Sequence, residues 1–241
     1  MLKIENLTGG YVNIPVLKNI SFEVADGELV GLIGLNGAGK STTINEIIGL
    51  LQPYQGTISI DGLRLSDDLV AYRKKVALIP ETPILYEELT LKEHIETVIM
   101  AYDLDDKKAM DQAKELLDLF RLTDRLDWFP VNFSKGMKQK VMIICALLVD
   151  PSLLIVDEPF LGLDPIAIAD LTRLLAEKKK AGKSILMSTH VLDSAEKMCD
   201  RFVILHKGEV RANGSLEELR QQFGDPEADL TAIYMKLTKE D

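Results

Sequence analysis

The stretch Leu29-Val30-Gly31-Leu32-Ile33-Gly34-Leu35-Asn36-Gly37-Ala38-Gly39-Lys40-Ser41-Thr42 decides the reading of this chain. Residues 29–33 form a short apolar run of the kind that makes a strand buried on both faces. The next eight, Gly34–Ser41, fit the pattern G-x-x-x-x-G-K-[ST], and Ser41–Leu51, which stops before Pro53, reads as a helix. A strand, a glycine-rich turn and a helix in that order give the loop its chemistry. The glycines let backbone N–H groups wrap phosphates, and the helix points its positive end at them. Lys40 reaches the β/γ-phosphates and Ser41 offers a hydroxyl to Mg²⁺. A plain glycine-rich turn is the competing reading, and the strand and helix on either side speak against it.

Outward from this loop the chain alternates strand and helix. Val76–Ile79, Leu153–Val156 and Ser184–Met187 are further short runs rich in Val, Ile and Leu. With Ile168–Ala181 as a helix that stops at Gly182, they predict an α/β fold around a parallel sheet. Earlier segments have another character. Ile20, Phe22 and Val24 alternate with Ser21 and Glu23, and Ile58 and Ile60 alternate likewise. This predicts antiparallel strands with turns at Asp26-Gly27 and Asp61-Gly62.

Residues from about 90 to 149 carry helix signals only. Thr90 and Glu93 form a capping box, followed by stripes at Leu91/Ile95/Val98/Tyr102, Met110/Ala113/Leu117/Phe120 and Met137/Val141/Ile144/Leu148. The expected layout is one domain over residues 1–241. It has an α/β core at about 1–85 and 150–210, an inserted all-helical subdomain at about 86–149, and a short C-terminal tail at about 211–241. The tail opens with a turn at Asn213-Gly214 and a Ser215/Glu218 capping box.

Composition narrows the function. Of 241 residues, 46% are hydrophobic and 27% charged, as in ordinary globular proteins. The formal net charge of −10 disfavours nucleic acid and anionic membrane surfaces as direct partners. The run Lys178–Lys180 sits at a helix end, where cations suit the dipole. Cys145 and Cys199 read as small hydrophobes of a reducing compartment, and together with His94 and His206 they are expected to be structural. No signal peptide is evident at Met1–Glu5. The longest apolar run, Val141–Val149, is far short of the ~18 residues a membrane helix needs.

A second chemical signal is Leu153-Leu154-Ile155-Val156-Asp157-Glu158. A buried strand ending in two carboxylates is costly unless a positive group is close. Asp157 suits Mg²⁺, largely through water, and Glu158 suits a general base that polarises an attacking water.

These residues resemble the ABC ATPases, and the resemblance covers essentially the whole chain. Gly34–Thr42 matches the Walker A motif of that family: Gly34, Leu35, Asn36, Gly37, Ala38, Gly39, Lys40, Ser41 and Thr42 would bind nucleotide. Leu153–Glu158 matches the Walker B strand with its catalytic glutamate. Phe133-Ser134-Lys135-Gly136-Met137 occupies the place of the LSGGQ signature. Leu163-Asp164 matches the D-loop, and Ser188-Thr189-His190 the H-loop, with His190 as γ-phosphate sensor. Tyr11 falls where the family stacks an aromatic on adenine, although its residue type suits core packing equally. Thr8–Tyr11, Ile79–Pro83, Phe133–Lys140 and Phe160–Leu163 together look like the Ecs-type ATPase subunits of Gram-positive bacteria.

Three positions in two motifs depart from the family pattern. Lys135 and Met137 replace a glycine and a glutamine of the signature. Glu81 replaces the glutamine that follows the strand Val76–Ile79, so that a carboxylate, itself a possible Mg²⁺ ligand, stands near the γ-phosphate position. The resemblance implies an enzyme that hydrolyses ATP with Mg²⁺. It implies a homodimer, or a heterodimer with a related ATPase, that clamps ATP between the Walker A of one subunit and Ser134–Met137 of the other. It also implies separate membrane-spanning subunits, contacted between Glu81 and Tyr102 with Ile84, Leu85 and Tyr86 at the surface, and a place at the inner face of the cell membrane. The short tail leans toward export. A soluble ABC ATPase acting on ribosomes or DNA is disfavoured by the acidic charge and the single cassette. Glu158 and His190 speak against a scaffold that binds without turnover.

Overall fold

The computed structural model describes residues 1–12 and 14–239. The first half contains β1 (Leu2–Tyr11), β2 (Ile14–Val24), β3 (Leu29–Ile33), α1 (Lys40–Ile47), β4 (Gln55–Ile60), β5 (Leu63–Arg64), α2 (Leu69–Lys74) and β6 (Val76–Ile79). Helices follow: α3 (Leu91–Tyr102), α4 (Asp106–Leu119), two 3₁₀ turns at Thr123–Arg125 and Pro130–Asn132, and α5 (Lys135–Leu148). The chain then returns through β7 (Leu153–Asp157), α6 (Pro165–Lys180), β8 (Ser184–Thr189), α7 (Leu192–Met198), β9 (Arg201–His206) and β10 (Glu209–Gly214). It ends in α8 (Leu216–Gln222) and α9 (Leu230–Lys239).

Two sheets organise these elements. The antiparallel sheet has the order β2-β1-β4-β5, and the six-stranded sheet the order β10-β9-β3-β8-β7-β6. Within the larger sheet all pairings are parallel except β10 with β9. The apolar runs of the sequence become strands because both their faces are covered. Val30, Leu32, Ile155 and Leu186 face a core shared with the antiparallel sheet and α1. Leu29, Ile33, Leu154, Val156, Ile185 and Met187 face a second core shared with α3–α6 and the C-terminal helices. Each strand thus feeds two cores with alternate side chains. The α/β architecture with an antiparallel β layer is as expected.

The turns at Asp26-Gly27 and Asp61-Gly62 are present, with Gly27, Asp61 and Gly62 at positive φ. The capping boxes of Thr90/Glu93 and Ser215/Glu218 are both formed. Lys178 and Lys179, in the last turn of α6, pair with Asp150 and Asp200.

Two local expectations are corrected. The helix after the glycine-rich loop ends at Ile47 and not at Leu51, because Gly49 takes a left-handed φ of 74° and both Leu50 N–H and Leu51 N–H donate back to Asn45 O. Asn213-Gly214 is no turn: these residues pair with Val203 and Phe202 as the end of β10. The turn that joins β9 and β10 lies earlier, at Lys207-Gly208, both at positive φ. The C-terminal tail packs onto the domain, with Leu230 and Ile233 fully buried in the second core.

Candidate functional site

The site grows from the carboxyl ends of neighbouring parallel strands. Ile33 of β3 is in register with Thr189 of β8, Ser188 with Asp157 of β7, and Val156 with Ile79 of β6. The register lines up the beginnings of four loops: the glycine-rich loop, Glu158, His190 and Pro80-Glu81. In open α/β sheets, ligands bind outside the carboxyl ends of the strands.

The glycine-rich loop makes a cleft of ≈ 310 Å³ lined by Val16, Leu35, Asn36, Gly37, Gly39, Lys40, Ser41 and Thr42. Gly39 has a φ of 113°, and a Cβ there would lie 2.7 Å from Leu17 Cδ2, so both conformation and space require glycine. Gly39 caps α1 without a side-chain acceptor, and no acidic residue stands in the first turn. The amides of that turn are therefore left for an anion. Lys40 is 8% exposed; its Nζ donates to Gly34 O at 2.6 Å and Leu35 O at 3.4 Å. Burial lowers its pKa, against the opposing pull of Glu158, Asp157 and Glu81.

Asp157 is the mirror image of that lysine. Burial raises its carboxyl pKa, with smaller upward contributions from Glu81 and Glu158, while a hydrogen bond from Ser188 Oγ and the charge of Lys40 lower it. A partly buried carboxylate so placed is relieved by a cation. Among the described residues no three His, Cys, Asp or Glu side chains converge into a preformed metal site. Ser41 and Asp157 each offer the kind of oxygen donor that suits Mg²⁺, a cation that keeps several waters and takes much of its coordination from phosphate oxygens. Glu81 is exposed and reaches this cluster through its charge.

Glu158 is held by its neighbours on β8. Its Oε1 accepts from His190 N–H at 2.8 Å and lies 2.6 Å from His190 Nδ1, while Oε2 accepts from Thr189 Oγ1 at 3.1 Å. Its φ of 46° is left-handed, which aims the carboxylate off the strand end. His190 itself is 58% exposed.

The signature segment looks elsewhere. Ser134 caps α5 by accepting from Met137 N–H at 3.2 Å. Gly136 sits so close to the D-loop segment that an added Cβ would stand 2.5 Å from Gly162 O. Lys140 Nζ pairs with Asp164 Oδ2 at 2.7 Å, and Asp164 caps α6 through Ala167 N–H. The Lys140 hydrogen bond, with that of Ala167 behind it, pulls the Asp164 carboxyl down to about 2. None of residues 134–137 lines the cleft of the glycine-rich loop.

Tyr11 also lies outside that cleft's lining. It ends β1, is 45% exposed, and accepts weakly from Asn45 Nδ2 at 3.4 Å. Core packing is therefore not its role. His94 is structural: its Nδ1–H donates to Thr90 O at 2.8 Å and its Nε2 accepts from Tyr86 N–H at 3.0 Å, which ties residue 86 to α3. Both cysteines are free, and burial pushes the Cys145 thiol up to about 12 and the Cys199 thiol in the same direction.

Sequence reasoning did not single out Gln139 or Lys140 as individuals. Gln139 is fully buried and its Nε2 donates to Pro80 O at 2.9 Å, joining α5 to the Glu81 segment. Its Oε1 has no partner in the protein. The available signal was polarity in the wrong place, an amide and an ammonium inside a helix otherwise dominated by apolar residues.

Known proteins resemble this chain over most of its length. Residues 17–161, more than half the chain, match the ABC transporter family. The chain is 56% identical over 241 residues to the ABC-type transporter ATP-binding protein EcsA of Bacillus subtilis, covering 100% of this chain and 98% of that one. Among solved structures, an ATP-binding subunit of an ABC transporter superposes with a TM-score of 0.96 at 54% identity, with 99% of both chains covered. The ATP-binding cassette MJ0796, in a dimeric post-hydrolysis state bound to ADP and Pi, superposes with a TM-score of 0.80 at 29% identity over 90% of this chain and 99% of that chain. The chain therefore belongs to the ABC transporter family, as one of its ATP-binding, ATP-hydrolysing subunits.

Proposed function

We propose that two copies of this chain, or one copy and a related ATPase, close around two ATP-Mg²⁺ and open again on hydrolysis, driving separate membrane-spanning subunits. One observation carries the dimer: none of residues 134–137 lines the phosphate cleft of the same chain. The cleft is lined from β2 and the glycine-rich loop, whereas Gly136 lies close against Gly162 and Lys140 pairs with Asp164. A single copy leaves the phosphates uncovered on one side. The Ser134 hydroxyl and Gly136 N–H of a second copy, at an exposed helix N-terminus, supply the missing donors. The dimeric state of the MJ0796 cassette supports this reading.

Within each half-site, the amides of residues 37–42 and Lys40 bind the phosphates, while Ser41 and Asp157 would hold Mg²⁺ and Glu81 would act on it through its charge. The metal, when bound, neutralises the phosphate charge that builds during transfer. Glu158 takes the proton of the attacking water, and His190 fixes the orientation of that carboxylate. Tyr11 stacks on the adenine ring, which its exposure permits.

A groove on another face suits a membrane partner. Ile48, Arg73, Val76, Ala77, Leu78 and Tyr102 line a cavity of ≈ 190 Å³. Ile84 and Tyr86 are 78% and 67% exposed, while Leu85 between them is anchored in the core. The loop thus presents apolar side chains from a fixed base, as an interaction surface does. Motion passes to it from the nucleotide through Gln139, which holds Pro80, and the helical segment 86–149 moves as the responding body. Among the described residues no helix is long and apolar enough to cross a membrane. On this reading the chain works at the inner membrane face through its partner, in the direction of export.

The test is the mass of Glu158→Gln by light scattering, with and without ATP-Mg²⁺. A shift from monomer to dimer on adding ATP-Mg²⁺ is expected. A persistent monomer that still binds ATP would show that the Ser134–Met137 segment cannot clamp unaided and that another subunit completes the site.

A further inference from the structure

Leu35 occupies the first variable position of the glycine-rich loop. Its side chain is 59% exposed and anchors nothing, yet its backbone is held firmly. Its carbonyl accepts from Ala38 N–H at 3.1 Å and from Lys40 Nζ at 3.4 Å. Its N–H donates at 3.1 Å to the hydroxyl of Tyr234, from α9, 199 residues further along the chain. This amide is committed to the protein, so it is not among those that face phosphate.

Tyr234 is a stiff post for such a bond. It is 5% exposed, and its neighbours Leu230 and Ile233 are fully buried. The helix that carries it is tied at several points. Leu230 N–H donates to Glu196 Oε2 at 2.8 Å, Ala232 N–H to Asp229 Oδ1 at 2.7 Å, and Lys236 pairs with Asp225 at 3.0 Å. Glu196 lies on α7, which begins two residues after His190. The last helix therefore spans two parts of the nucleotide site, with one contact on the phosphate loop and another on the helix that follows the γ-phosphate sensor.

We infer that Tyr234 is a positioning residue for ATP binding: its hydroxyl sets the entrance of the phosphate loop, and α9 ties that setting to α7. The inference rests on the nucleotide assignment of residues 34–42. Without the bond, Leu35 N–H must seek water and the loop samples conformations that no longer match the phosphates. Pre-organisation of this kind acts on affinity before it acts on chemistry.

The experiment compares Tyr234→Phe with the parent chain in three readouts: ATPase KM and kcat, Kd for a fluorescent ATP analogue in EDTA, and the melting temperature without nucleotide. Loss of one hydrogen bond predicts a rise of about five-fold in Kd and KM, with kcat within about two-fold. An unchanged Kd and KM overturns the inference, whatever the melting temperature does, because a merely structural tyrosine would move only the latter. If Tyr234→Phe fails to fold, Glu196→Ala loosens α9 at its other anchor and leaves the tyrosine in place. It is expected to raise Kd in the same direction, and an unaltered Kd overturns the inference. Failure of the nucleotide assignment is distinguishable, since the parent chain itself would then not bind the analogue.

Discussion

Glu158 Oε1 lies 2.6 Å from His190 Nδ1 and 2.8 Å from His190 N, so a single carboxylate oxygen is gripped by both the ring and the backbone of one residue. The two meet because Asp157 and Ser188 are in register on adjacent parallel strands, and each strand ends one residue before the functional group. The backbone bond survives any substitution at 190 except proline, whereas the ring bond does not. His190→Ala is therefore expected to leave ATP affinity within a few-fold and to lower kcat by about 10²-fold or more, the scale of a misdirected general base. Steady-state turnover alongside nucleotide titration checks the split. A variant with normal turnover would show that Thr189 Oγ1 and the backbone N–H suffice to aim Glu158.

How much of this was legible in the sequence depends on whether a contact is local. The loop of residues 34–42, the strand ending in Asp157-Glu158 and the capping boxes are each complete within a few neighbours, so pattern alone revealed them. The four apolar strands were legible because burial on both faces removes polar residues from both. Strands β9 and β10 were blurred: Arg201 and Glu209 carry charge into them, and Asn213-Gly214 wears a turn's composition while pairing in a ladder. Tyr234 was invisible, since nothing near it in the chain marks an aromatic that travels 199 positions to meet Leu35. Lys140 was hidden in a different way. Its partner Asp164 was read as a D-loop residue, and the pairing of the two exists only once α5 and α6 are packed.

Glu81 stands where the family pattern has glutamine. It is exposed, and its charge raises the Asp157 carboxyl while supporting the charge on Lys40. Removing it therefore has two opposed electrostatic effects on the same cluster: it eases ionisation of Asp157 and withdraws one counter-charge from Lys40. Glu81→Gln is expected to retain ATPase activity within about three-fold, with the Mg²⁺ concentration for half-maximal rate shifted by no more than that. The measurement is turnover across a Mg²⁺ titration. Complete loss of activity would assign Glu81 an essential role of its own, beyond that of the amide it replaces.

Glu46 is a buried carboxyl on the helix that follows the phosphate loop. It lies on α1, one turn past Thr42, is 2% exposed, and neither carboxylate oxygen has a hydrogen-bond partner in the protein. It fits only because residue 9 is glycine: a Cβ there would meet Glu46 Oε1 at 1.7 Å. Burial pushes its carboxyl up to about 7 from an ordinary value of 4.5. The sign of the consequence follows from proton counts. Below pH 4.5 the group is protonated in both the folded and unfolded chain and contributes no pH dependence. Between pH 4.5 and 7 the unfolded chain loses the proton while the folded one keeps it, so stability falls as pH rises, and above 7 the penalty is complete. Its full size is roughly 3 kcal/mol at one pKa unit per 1.36 kcal/mol. Glu46→Met, of similar volume and with good helix propensity, removes the penalty. Urea unfolding at pH 5 and pH 8 is expected to show the variant ahead of the parent chain by about 2–3 kcal/mol more at pH 8 than at pH 5. An equal effect of the substitution at both pH values would mean that Glu46 is ionised and partnered in solution, and the buried carboxyl would then have to be paired with a group such as Arg64, which lines the neighbouring cavity.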